Sequence, residues 1–167
     1  MLGYGTSPIE LMASEAMLRG DVFLEHFTYS AAWVTGTATA LGANATAEVQ
    51  IPINADSDFV IQEINLTAET AAGTFLATAD YLLLIVIAGA GRQIMNQAQH
   101  VANVTGSYQG GQVPGRVPMP KLVQGSNTIS CTLTNRTAVA ANRADLAFRG
   151  FKVFYSGGNR QEIFHVL

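Results

Sequence analysis

Charge is scarce in this chain. Only 13% of its 167 residues are Asp, Glu, Lys or Arg, against about 25% in an average soluble domain. Nine basic and twelve acidic side chains leave a formal net charge of −3. Non-specific nucleic-acid binding needs a dense basic footprint, so no nucleic-acid partner is expected. Lys121 and Lys152 are the whole lysine complement, and Arg136, Arg143 and Arg149 lie around an expected turn and strand, at solvated positions or inter-chain salt bridges. Cysteine is rarer still. Cys131 is alone, which excludes an internal disulfide and a thiolate metal site. The longest apolar run, Tyr81 to Ala90, is half of the ~20 residues that a membrane-spanning helix needs. The start, Met1 to Glu10, lacks the basic region and long apolar core of a secretory leader.

Metal-binding pairs are missing too. His26, His100 and His165 are far apart, with no second ligand at short spacing, where zinc motifs place one. Asp56 and Asp58 sit in an Asn/Ser cluster but without the Gly and bidentate Glu of a calcium loop, so a turn role is expected. Gly89-Ala-Gly91 follows an apolar strand, yet Ile94 stands where a dinucleotide fingerprint needs its third Gly. No G-x-S-x-G elbow occurs. The glutamates are scattered, and sequence alone pairs none of them for acid–base work. No cofactor, no metal and no enzymatic activity are expected.

What the chain does hold is β rhythm. A 17.7 kDa chain should keep about 8,000 Å² exposed and bury roughly 70% of its unfolded surface, enough for a core without staples. Spread over that surface, charges would stand one per ~380 Å². A surface so thinly charged is expected either to meet other chains or to be coated with Thr, Ser, Asn and Gln. Residues 1–20 read as an N-terminal arm and helix, and 21–167 as the β domain. Ser7-Pro8-Ile9-Glu10 carries a capping box with Pro at the first helical position, and Gly20 a stop, predicting a helix from Pro8 to Arg19.

Strands are predicted at Asp21–Tyr29, Ala45–Ile53, Phe59–Leu66, Asp80–Ala88 (buried on both faces), Arg92–Gln97 pairing with it, Val101–Thr105, Thr128–Thr134, Leu146–Tyr155 and Glu162–Val166. Ala31–Leu41 reads as a small, Thr-rich stretch containing Trp33. The apolar phase slips between Ile61 and Ile64, and again at Gly150 between Phe148 and Phe151; the first slip predicts a bulge near Gln62 and Glu63, the second a bulge or a bend at a sheet corner. Gly106–Pro120 is expected to be a long loop or arm. Cys131 falls on the apolar phase with Ile129 and Leu133. About eight short strands with bulged corners predict an all-β antiparallel sandwich, a jelly roll with a short N-terminal helix.

Several segments share an order of features with a known class. These are Arg92 with Met95-Asn96, Val101 to Gly106, Pro118-Met-Pro120 with Leu122, Gly125-Ser-Asn127, Leu133-Thr-Asn135 and Phe148-Arg-Gly150-Phe-Lys-Val153. Their arrangement resembles small virion structural proteins of tailed bacteriophages, of the head-decoration or cement type. The resemblance implies a β-sandwich in the virion that stabilises contacts between shell subunits as a homo-oligomer. Its partners would be the major capsid protein, other virion proteins and further copies of itself, with no membrane. A place at the neck or tail is the alternative; a carbohydrate-binding sandwich with exposed aromatics near Trp33 or Tyr108 is a second. The N-terminal segment and the Gly106–Pro120 loop are the candidate contact regions. Their apolar residues are Leu2, Tyr4, Ile9, Leu11, Met12, Met17, Leu18, Tyr108, Val113 and Val117.

Overall fold

A computed structural model of the chain describes residues 7–69, 80–88, 94–105, 115–156 and 163. The helix α1 (Pro8–Arg19) leads into β1 (Val22–Val34), β2 (Thr46–Pro52), β3 (Asp58–Glu69) and β4 (Tyr81–Ala88). Then follow β5 (Gln99–His100), a short helix α2 (Val101–Thr105), β6 (Gly115–Val123), β7 (Thr128–Asn135) and β8 (Arg143–Tyr155). One sheet has the order β1-β8-β3-β6 and the other β2-β7-β4-β5, with every pairing antiparallel. Strands 1 with 8, 2 with 7, 3 with 6 and 4 with 5 are neighbours. The chain is therefore one long hairpin rolled up across two sheets, the jelly-roll arrangement expected from the sequence.

Alternation builds the main core. Ile129, Cys131 and Leu133 of β7, with Tyr81, Leu83 and Ile85 of the adjacent β4, form one side of it; Tyr29, Ala31 and Trp33 of β1 with Leu146 and Phe148 of β8 form the other, all buried. Burial of each large side chain is worth roughly 1.5–3 kcal/mol. Trp33 Nε1 donates to the Ala47 carbonyl at 3.1 Å, which satisfies the one polar atom of the indole.

The bulge expected in β3 is present. Ile61 pairs with Gly150 and Glu63 with Arg149, so Gln62 is the extra residue. Phe59 and Ile61 before it, and Ile64 and Leu66 after it, all enter the core. The second expected bulge, at Gly150, is absent. β8 runs unbroken against β1 from Val22↔Tyr155 to Val34↔Arg143. Phe151 and Val153 are buried because α1 covers the outer face of the sheet there, together with Ala13, Ala16, Val22, Val60 and Ile163. Two-sided burial, not a change of phase, produces the apolar run. Gly150 is small for another reason: a Cβ there would overlap the Val60 carbonyl oxygen at the bulge.

Other expectations need correction. Gly115–Pro120 is strand, part of β6. β6 is an edge strand, where Pro is tolerated because no ladder partner needs its N–H. Its register jumps from Ile61↔Lys121 to Glu63↔Arg116, and Pro118 and Pro120 fall in that jump. Residues 94–98 are not a strand; β4 pairs with Gln99 and His100. Val101–Thr105 is a helical turn in which Thr105 Oγ1 donates to the Val101 carbonyl at 3.0 Å. β1 runs on to Val34, absorbing the start of the Thr-rich stretch. β4 buries Tyr81, Leu83, Ile85 and Ile87 but leaves Leu82, Leu84 and Val86 half-buried on its outer side, so one face is sealed, not two. The expected strand Glu162–Val166 lies outside the described residues except for Ile163.

Candidate interaction surface

The leading helix is held in place at both ends. Ser7 Oγ accepts from Glu10 N at 3.2 Å and Ser7 N donates to Glu10 Oε2 at 2.8 Å. Gly20 closes the helix at φ 81°, a left-handed value natural to glycine. Glu10 also reaches the bulge, where its Oε1 accepts from Gln62 Nε2 at 2.5 Å. Ala13 and Ala16 sit fully buried on the sheet, flanked by half-buried Ile9 and Met12. The opposite side of the helix is left to solvent. Leu11 is 51% exposed, Met17 47% and Leu18 84%. Leu11, Glu15 and Leu18, spaced i, i+4 and i+7, share that outward face.

Three of the ten sequence-predicted contact residues therefore present themselves: Leu11, Met17 and Leu18. Ile9 and Met12 are engaged beneath the helix, and Val117 packs on the main core from β6. Leu2, Tyr4, Tyr108 and Val113 lie outside the described residues.

Sequence reading missed a second apolar site, at the end of the sandwich beside the Gly20 turn. Phe23 has the inward phase of Tyr29, Ala31 and Trp33, yet it is 62% exposed. Its cross-strand partner is Phe154, with ring centroids 6.0 Å apart and planes tilted by 42°. Next along β8, Lys152 is 5% exposed. Its ammonium stands 4.2 Å from the Phe27 ring centroid, 5.8 Å from Tyr29 and 5.9 Å from Phe154. Such contacts attract a cation to the ring faces. Tyr29 in turn packs edge-on against Phe59, centroids 4.9 Å apart. The available signal is the lysine that interrupts the apolar run Phe151–Tyr155.

Little else on the described surface suggests chemistry. A hollow of about 450 Å³ lies at the bulge, lined by His26, Phe27, Thr28, Gln62, Glu63, Arg149 and Gly150. No group of three or more His, Cys, Asp or Glu able to hold a metal occurs among the described residues. Trp33 is fully buried and offers no sugar platform. Asp58 is sealed inside, its Oδ1 accepting from Gly125 N at 2.8 Å. Asp56 lies in the turn before β3 and accepts from Ser57 Oγ at 2.9 Å, whereas Asp58 opens β3 and bonds partners distant in sequence, so the turn role expected for it is replaced by a tie between elements. Burial, with a smaller push from Glu48, drives the Cys131 thiol up to about 12, which keeps it protonated and inert. The outer face of β2 and β7 carries Thr46, Glu48 and Gln50 against Thr134, Thr132 and Ser130. There Ser130 Oγ (2.8 Å) and Gln50 Nε2 (3.1 Å) donate to Glu48 and hold its carboxyl below the ordinary range.

No protein-family model matches the chain, and no curated protein does. Among solved structures there is a likeness to the VP2 subviral particle of infectious bursal disease virus, at 13% identity and a TM-score of 0.30. It covers 83% of this chain and 33% of the matched one, so the chain spans about a third of that protein's length. A likeness this slight carries no conclusion about fold or role.

Proposed function

We propose that this protein is a structural component of a virus particle, of the capsid decoration or cement type, acting without catalysis as a homo-oligomer. One observation carries the reading: a helix firmly docked by its alanine face presents Leu11 and Leu18 to solvent, the latter 84% exposed. A helix whose outward side were meant only for water would carry polar residues at these two positions as well as at Ser14 and Glu15. The scarcity of charge and the resemblance of the carboxyl half to virion structural proteins support the same reading. The jelly roll suits it, since that fold builds many capsid proteins, though fold by itself assigns no role.

The mechanism is burial of apolar surface between subunits. An ordinary specific interface buries about 800 Å² per partner. Closed symmetry repeats one such contact around a particle, so each copy adds little and the shell gains much. Mass spectrometry of intact particles with copy counting tests the role. Several hundred copies per particle support decoration. About a dozen or a few dozen copies, as one or a few closed rings would give, move the protein to the neck or tail, and absence from the particle overturns the reading.

A further inference from the structure

We infer that two copies of this chain associate by laying the outward face of α1 of one copy on the aromatic end of the sandwich of the other. This contact rests on the self-associating role proposed above and gives that role a surface. Each side sets a charge of opposite sign among apolar side chains. On α1, Leu11 and Leu18 flank Glu15, which is exposed and has no hydrogen bond or ion pair among the described residues. At the sandwich end, Phe23 and Phe154 lie beside Lys152, whose stem is buried and whose ammonium touches aromatic rings.

The lysine is the asymmetric feature. Its ammonium has no hydrogen-bond or ion-pair acceptor among the described residues. Glu25 is its cross-strand neighbour and is exposed, but lies beyond ion-pair distance. The ammonium is also not one of the sealed, unsatisfied polar atoms, which among the described residues are Tyr81 Oη and Asn127 Nδ2. With 5% of the residue exposed, the ammonium keeps a narrow opening to solvent beside the Phe27 and Phe154 rings. A cation so placed gains from an incoming carboxylate, because apolar neighbours on both partners exclude water and strengthen the attraction. Glu15 between two leucines brings that carboxylate with apolar cover on either side.

Both halves of the contact belong to one chain, and Leu18 and Phe23 flank the Gly20 turn. A two-fold axis near that turn would form the pair twice, each copy giving a helix and receiving one, as an isologous interface requires.

Cross-linking in trans tests the contact. Single variants Glu15→Cys and Phe23→Cys are mixed and oxidised; Cys131, fully buried, does not compete. The expected product is the mixed disulfide between the two variants, well above its statistical share relative to the two homodimers. A statistical mixture, homodimers in excess or no cross-link overturns the contact. Sedimentation of Glu15→Lys gives an independent readout at a position where folding is not at risk. Its dimer dissociation constant is expected to rise at least about tenfold, with Lys152→Met behaving alike. If the parent chain self-associates and Glu15→Lys leaves the constant unchanged, this contact falls and the self-associating role stands. If the parent chain stays monomeric at every concentration, both fall together.

Discussion

Tyr155 donates its phenolic hydrogen to Asp58 Oδ2 at 2.6 Å, and the other oxygen of that carboxylate accepts from the Gly125 backbone N–H at 2.8 Å. One buried acid thus joins the last strand, the start of β3 and the turn between β6 and β7. Removing it breaks both of these hydrogen bonds at once. Asp58→Ala is expected to cost about 3 kcal/mol, and Tyr155→Phe about 1 kcal/mol. Urea unfolding of the two variants checks the difference.

Two glycines are expected to respond unequally to a methyl group. At Gly20 the space around a Cβ is open and only the positive φ opposes it, so Gly20→Ala should cost about 1 kcal/mol. At Gly150 the Cβ would meet the Val60 backbone, which belongs to the bulged strand and has little freedom to retreat. Gly150→Ala is expected to cost about 3 kcal/mol, seen as the larger drop in melting temperature.

Stability should fall at alkaline pH. The native Cys131 thiol holds its proton up to about 12, against an ordinary value of 9.0. Its contribution is intact below about 9 and is lost as pH climbs through the interval, because only the unfolded chain ionises there. Tyr81, raised by burial, acts in the same direction above its own ordinary value. Cys131→Ala is expected to flatten this alkaline limb while costing about 1 kcal/mol at neutral pH from the smaller side chain. Denaturant midpoints measured from neutral pH upward decide it. At pH 8, thiol labelling should proceed only as fast as the protein opens.

Ser7 and Glu10 govern how firmly α1 lies on the sheet. Ser7→Ala removes one cap and should cost about 1 kcal/mol. Glu10→Ala breaks the capping box and the tie to Gln62 together, so its cost should be larger. Hydrogen exchange over Leu11–Arg19 is the informative readout. Faster exchange confined to the helix is expected, with β7 amides unchanged.

Much of the fold was legible because one physical signal, burial on one face, writes strict alternation. β2 and β7 show it: Ala47, Val49 and Ile51 pair across from Leu133, Cys131 and Ile129. The signal fails where a strand is covered on both sides. Phe151, Lys152 and Val153 are all buried, two under α1 and one toward the aromatic rings, and this read as a slipped phase. It fails again at an edge, where β6 keeps its prolines and resembles a loop. Val101–Thr105 is β-branched enough to read as strand, yet it forms a helical turn whose last residue, Thr105, returns its hydroxyl to the Val101 carbonyl. At the candidate surface, α1 was legible through its caps, and its exposed side through Leu11 and Leu18. The aromatic end was not, since Phe23 has the phase of a core residue and yet is largely exposed beside Phe154.

The mass of the purified chain in solution tests the central claim most directly. Sedimentation equilibrium from about 1 to about 100 µM spans the range in which an interface of ordinary size assembles. A species of at least twice 17.7 kDa, dissociating when Leu18 is changed to Glu, is the predicted result. A 17.7 kDa monomer at every concentration, unaffected by that change, would contradict it.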